Sequence, residues 1–257
     1  MADVIDIQRA ALVPEDSPAV MDGLLSRTVK HTLTAYGSKW RKAVENEVLF
    51  ACAFFYRRFF TTYSPASYDP TAVLLSCLNL ACKTEESHSI TMKDLLVGND
   101  VFTCPEETVN IELAILKAIE FELSVEQPWP AVMWFAAKIA DRGKLESAQK
   151  LFDEACELIG SWQWTDAILV FSAGKLASAA CLAASKKVGV YESFTESLTV
   201  ELGVASIDET EKFLESILSV VSRHVKPHPD VIDSFSEKCK QIRLSDQPAK
   251  RRRKKST

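Results

Sequence analysis

From Thr71 to Cys82 the chain places only Thr71, Ser76 and Asn79 among apolar residues, and this run constrains the fold more than any other segment. It is too long for an ordinary strand, too short to cross a bilayer, and has no polar face to turn to water. A segment of that kind folds as a helix surrounded by other helices. Asp69-Pro70 stands directly before it, an N-cap residue followed by proline at the first helical position. Helical spacing recurs upstream at Val44, Val48, Ala51, Cys52, Phe55 and Phe59, with more aromatics on both flanks and Trp40, Arg41 and Lys42 at a solvated start. No β-hairpin signature and no long alternation of period two marks a strand.

Downstream, a polar segment with Glu85, Glu86, Ser87 and His88 leads to a short helix around residues 91–96, ended by Gly98. The next helix opens at Thr103 with Pro105, sets Glu106 and Glu107 against the positive end of the helix dipole, and carries Val109, Leu113, Leu116 and Ile119. Gln127-Pro128-Trp129-Pro130 interrupts the pattern and marks a domain boundary. Beyond it the same order returns: helices over residues 131–141 and 145–162, then a second central run over 168–184 rich in Ala, Ser and Leu. The two central runs end alike, Leu80-Ala81-Cys82-Lys83 against Ala183-Ala184-Ser185-Lys186, which fits a duplication or a shared packing solution. A short helix over 191–200, Gly203, a helix capped by Ser206 running to Arg223, and a last helix over 230–243 after Pro227 and Pro229 complete the chain. The expected fold is all-α, two bundles of about five helices each in tandem, with flanking N- and C-terminal helices.

Composition agrees. The 257 residues are 47% hydrophobic, with only eight glycines and ten prolines, so a sizeable core is available and glycine-rich ligand loops are scarce. Met1 to Pro14 lacks the basic start and apolar run of a secretory signal, which predicts an intracellular protein. The seven cysteines show no CxxC spacing and read as small core residues in a reducing compartment; Pro227 breaks the pairing of His224 and His228, so no metal is expected. Net charge is −5, yet Lys250, Arg251, Arg252, Arg253, Lys254 and Lys255 carry six positive charges, leaving the rest at −11. An acidic body disfavours broad phosphate binding, so no direct nucleic-acid contact is expected. The basic run reads as a nuclear-import tail, with a solubilising or nonspecific nucleic-acid-binding tail as the alternative. No P-loop, GxGxxG, HExxH or GxSxG pattern occurs, so neither catalysis nor a cofactor is expected.

Two segments stand apart: Ala81-Cys82-Lys83-Thr84-Glu85-Glu86, and Asn110-Ile111-Glu112-Leu113 continuing to Lys117-Ala118-Ile119-Glu120-Phe121-Glu122-Leu123. The first resembles the cyclin-box signature, in which a buried helix ends in lysine followed by acidic residues. The second resembles the next long helix of that box, with an early glutamate and a Phe-x-Leu ending. Phe55 to Phe60 and Tyr68-Asp69-Pro70 are similar to the matching stretch of transcriptional cyclins. In the second half, Thr165-Asp166-Ala167, Lys175 to Ala184, and Glu192 to Leu198 resemble the cyclin H branch, the cyclin of the CDK-activating kinase.

The resemblance spans roughly residues 20 to 243. It implies an N-terminal segment at 1–19, cyclin boxes at 20–127 and 128–226, a C-terminal helix at 227–244 and a basic tail at 245–257. It also implies a non-catalytic nuclear subunit that binds the C helix of a cyclin-dependent kinase, with an assembly-factor third subunit and transcription factor IIH as further partners. Lys83 and Glu112 would sit together at the kinase interface, and Leu116, Phe121 and Leu123 would offer apolar surface; helix capping, a solvated first turn and core packing are the bland alternatives. The substrate-docking patch of cell-cycle cyclins is missing, since the matching residues read Leu24-Leu25-Ser26-Arg27-Thr28-Val29. Arg27 stands near the family's first-helix arginine. Arg57 replaces the aspartate of cell-cycle cyclins, as in the transcriptional group, and Thr84 replaces their aromatic residue. Other transcriptional cyclins, of the C or K type, remain the nearest alternative. A scaffold of the transcription factor IIB type would want a zinc ribbon and a basic face, neither of which is present.

Overall fold

A computed structural model of the chain describes residues 20, 23–29, 32, 44–87, 105–201, 207–222 and 229–245. Among these the only regular elements are helices: a helical stretch at residues 23–29, then α1 (Asn46–Thr62), α2 (Pro70–Thr84), α3 (Pro105–Ala118), α4 (Trp129–Asp141), α5 (Leu145–Trp162), the single turn α6 (Ala167–Val170), α7 (Ala173–Val188), α8 (Tyr191–Glu201), α9 (Ile207–Ser222) and α10 (Pro229–Ser245). They fall into two compact units, one made of residues up to Leu123 together with those from His224 onward, the other of Ser124–Arg223. The sequence pattern drew its boundary at 127/128. Residues 1–19, Trp40 to Lys42, His88, the turn around 91–98, Thr103, Cys104, Gly203, Ser206, His224, Pro227, His228 and the run Lys250 to Lys255 lie outside the described residues.

In the first unit α2 is the centre, packed against α1 and α3. Asp69 Oδ1 accepts from the backbone N–H of Thr71 at 2.8 Å and of Ala72 at 3.4 Å, satisfying two of the donors a helix start leaves open. Every residue from Ala72 to Cys82 is then buried, Ser76 and Asn79 included. α1 supplies Phe55, Tyr56, Phe59 and Phe60 to the same core, and Phe59 meets Tyr68 edge-on at 5.1 Å between ring centroids. Val44 is buried as its spacing predicts, but it stands before the N-cap Glu45, outside the helix.

The terminal helix α10 belongs to this unit. It buries Ile232 and Cys239, and its Arg243 donates to the Pro65 carbonyl and lies 3.3 Å from Asp69 Oδ2. Asp233 pairs with Arg27 of the stretch 23–29 at 2.6 Å. α10 is therefore tied both to the helical stretch before α1 and to the cap of the central helix.

The second unit is built around α7, packed against α5, α8 and α9. Its buried Ala177, Ala179, Ala180 and Ala184 let neighbouring backbones approach closely. The continuous central run expected over 168–184 is in fact two pieces. Phe171 is extended (φ −113°, ψ 140°) and separates the turn α6 from α7, whose N-cap is Ser172. The Ser172 side chain makes no capping hydrogen bond, so it is the extended backbone at Phe171 and Ser172 that divides the otherwise apolar run. α7 ends at Gly189, which takes the left-handed conformation at φ 78° that other residues adopt with strain. Among the described residues no helix is long and apolar enough to cross a membrane.

Candidate functional site

Lys83 lies in the last turn of α2, where a cation is favoured by the exposed carbonyl end of the helix. Its Nζ is 2.6 Å from Glu112 Oε1 on α3, with the lysine side chain 54% and the glutamate 22% exposed. Asn79, one turn earlier on α2, points its Nδ2 at Glu112 Oε2 from 3.5 Å. The carboxylate is therefore approached at both oxygens by side chains four residues apart on one helix, the spacing that puts them on one face.

α3 carries two apolar faces at once. Thr108, Ile111, Ile115 and Ile119 point to the core. Val109 and Leu113 are instead 64% and 45% exposed, and half-buried Leu116 continues their row at helical spacing beside Glu112. The helix then closes with two crossed backbone bonds, Phe121 N–H to Leu116 C=O at 2.8 Å and Glu120 N–H to Lys117 C=O at 3.1 Å. This is the paired ending that usually needs a glycine, yet here Glu120 (φ 57°) and Phe121 (φ 60°) both occupy the left-handed region. Each such residue costs about 1–2 kcal/mol. The arrangement lifts Phe121 to 61% exposure and Leu123 to 38%. Arg58 of α1 braces the segment by an ion pair to Glu122 at 2.9 Å, and its guanidinium lies 6.0 Å from the Phe54 ring centroid.

The residues singled out from sequence are thus distributed as follows. Lys83 and Glu112 are in direct contact; Leu116 lies one turn beyond Glu112 on α3 and is partly buried, and Phe121 and Leu123 are exposed just after the helix ends; the residues 250–255 lie outside the described range. Val109, Leu113 and Asn79 join the site without having been assigned to it. The signal for the first two was present: one apolar row at 109, 113 and 116 beside another at 111, 115 and 119 exceeds what one core face needs.

Arg57 is 5% exposed and donates to Ser26 Oγ at 3.3 Å, so its guanidinium serves the contact with the stretch 23–29. The second unit repeats the lysine-glutamate motif: Lys186, the counterpart of Lys83 in the matched helix endings, lies 2.6 Å from Glu211 of α9. Tyr191 O–H reaches the same Glu211 oxygen at 3.3 Å. The hydrogen bond between Lys186 and Glu211, together with their opposite charges, pushes the Lys186 ammonium pKa up and the Glu211 carboxyl pKa down, with Tyr191 a minor contributor. At the positions equivalent to Val109, Leu113 and Leu116, counted from the paired glutamate, α9 carries Asp208, Lys212 and Glu215, although Leu218 further along is 47% exposed. Burial pushes the thiols of Cys52, Cys77 and Cys181 up, which keeps them unreactive. No group of three His, Cys, Asp or Glu among the described residues could hold a metal ion.

Comparison with known proteins bears on the same segments. The cyclin N-terminal domain matches residues 39–124, which include the whole Lys83 and Glu112 site. Cyclin-H1-1 of Arabidopsis thaliana is 24% identical over 72% of this chain and 57% of its own length, and Cyclin-H of Xenopus laevis is 22% identical over 80% of this chain and 66% of its own. The chain therefore spans about three-fifths of the length of these curated relatives. Among solved structures, a chain of the ATP-gamma-S-bound CAK complex from Chaetomium thermophilum superposes with a TM-score of 0.64 at 21% identity, covering 86% of this chain and 71% of that one. A chain of the yeast TFIIK complex (Kin28/Ccl1/Tfb3) gives 0.62 at 16%, covering 84% and 91%. The matched domain, the helix order around α2 and α3 and the resemblance of the lysine and glutamate segments converge: residues 39–124 match the cyclin N-terminal domain, and the chain as a whole is similar to cyclins in sequence and fold.

Proposed function

We propose that this chain is the regulatory subunit of a cyclin-dependent kinase and that the outward face of α3, edged by Lys83 and Glu112, receives the kinase's C helix. The observation that carries this reading is the preformed Lys83–Glu112 pair at 2.6 Å beside an apolar row that no described element covers. The physical task is a population shift. A kinase needs its strand lysine paired with the C-helix glutamate, and the C helix swings out when unsupported. Moving it from mostly inactive to mostly active takes a preference of about 5 kcal/mol. Burial of roughly 200 Å² of apolar surface supplies that at about 25 cal/mol per Å². Val109, Leu113, Leu116, Phe121 and Leu123 offer the surface, and the charged pair fixes the register through hydrogen bonds to the partner's backbone.

Within the family, the CDK-activating kinase associated with transcription factor IIH is the partner we favour. The Arabidopsis and Xenopus relatives carry the cyclin H name, and the CAK and TFIIK complexes supply the structural neighbours. On this reading the chain contributes no catalytic group, works in the nucleus with its basic tail as import signal, and has an assembly factor as a third partner. The cyclin boxes would occupy 20–127 and 128–226, with 227–244 as the terminal helix.

Purification of the full chain with its endogenous partners, followed by identification of the kinase, tests the assignment; a different transcriptional kinase would move the chain to another branch. Reversing either charge, Lys83→Glu or Glu112→Lys, is expected to weaken kinase binding by tenfold or more and to reduce activation, with helicity unchanged. Undiminished affinity in both variants would defeat the reading.

A further inference from the structure

An amide in the middle of an apolar helix calls for a reason. Asn79 is 6% exposed, lies among Leu78, Leu80, Ala81 and Cys82, and occupies the position one turn before Lys83. Burying an amide without a partner is unfavourable, so its contacts decide whether the position is tolerated. Its Nδ2 faces Glu112 Oε2 at 3.5 Å, while Lys83 holds Oε1 at 2.6 Å. The second unit offers an internal comparison. At the position one turn before Lys186 stands Leu182, fully buried, and there the glutamate is reached by Tyr191 instead, from another helix and on the same oxygen as the lysine. Glu211 is thus held at one oxygen, Glu112 at both. The amide is not required by the box as a packing unit, because a leucine serves in the other copy.

We infer that Asn79 is a positioning residue for the partner-binding site: its buried amide fixes the rotamer of Glu112, so that the carboxylate presents a constant face beside the apolar row of α3. This rests on the proposed function and names the device that preorganises that same site. A glutamate bound only by the half-exposed Lys83 can swing with the flexible lysine stem, and ordering it would fall to the binding step. A buried amide four residues away on the same helix has no such freedom, since its own rotamer is held by close packing. The interaction comes in addition to the ion pair and acts through it.

The test compares Asn79→Leu, which copies the second unit, with the wild-type full chain. In the free protein, side-chain couplings of Glu112 measured by NMR are expected to change from a single rotamer to an average over several, with the thermal midpoint unchanged or raised. A Glu112 that keeps one rotamer in Asn79→Leu overturns the inference, whatever the partner. With the kinase that co-purifies with the chain as probe, Asn79→Leu is expected to weaken binding about two- to tenfold, the range expected of one ordinary hydrogen bond. The same substitution in a Glu112→Ala background is expected to have no further effect. An equal loss in both backgrounds would mean that Asn79 acts on the fold and not on Glu112, overturning the inference while leaving the binding site intact. If Glu112→Ala itself leaves kinase affinity unchanged, the proposed function of the site fails, and the rotamer measurement alone then decides the role of Asn79.

Discussion

Single charged side chains in this molecule do different work according to what lies around them. The pairs Lys83–Glu112 and Lys186–Glu211 have the same length, 2.6 Å, and join the end of a central helix to a later helix of its own unit. Only the first borders an apolar row. For the second, the pKa shifts set a pH window. Glu211 is lowered from its ordinary 4.5, so the bridge stabilises the fold above that value and is lost as pH falls through the lowered one. Lys186 is raised from 10.5, so on the alkaline side the contribution persists to that value and is lost as pH rises through the raised one. Glu211→Gln is accordingly expected to lose less thermal stability than the wild type between pH 7 and pH 3, measured as unfolding midpoints; parallel curves would contradict the bridge. At this scale the sequence was legible where a motif named the residue, as with Lys83 and Glu112. It was silent on Asn79, because one polar residue in an apolar run does not say which carboxylate it faces.

Elements were legible in proportion to the strength of their punctuation. α2 was readable at both ends, since Asp69-Pro70 fixes its start and lysine followed by glutamates fixes its finish. The division between α6 and α7 was not, because Phe171-Ser172 interrupts the run without glycine or proline. The end of α3 was likewise hidden: Glu120 and Phe121 turn left-handed where sequence leads one to expect a glycine. Asp69 is the most informative residue to change, as it caps α2 with one oxygen and meets Arg243 with the other. Asp69→Ala is expected to cost about 1–2 kcal/mol by chemical denaturation through loss of the cap. Asp69→Ser keeps a capping hydroxyl and removes only a partly exposed ion pair, so it is expected to recover most of that loss. Equal losses in the two variants would mean that the tie to Arg243 outweighs the cap.

On the scale of the whole molecule, chain order and spatial order part company. A helix that follows the second unit in sequence is built into the first, with Arg243 and Asp69 separated by 174 positions. Periodicity could find α10 but could not assign its neighbours, because a helical pattern specifies that a face must be covered and not what covers it. Removing residues 229–257 would expose the groups that Ile232 and Cys239 cover and leave Arg27 and Asp69 without these partners. Hydrogen exchange is expected to lose protection in α1 and α2 while α5 is unaffected; unchanged protection in α1 and α2 would show that α10 is dispensable to the first unit.

The outward row of α3 has one more consequence, which concerns supply. On the proposed function, Val109, Leu113 and Phe121 form an exposed apolar row that stays open to water until a partner covers it, which favours self-association of the chain when it is alone. The quantity that a cell or an expression host can hold in solution is then tied to the quantity of whatever covers that row, so production of this chain is best matched to its partner from the moment of synthesis.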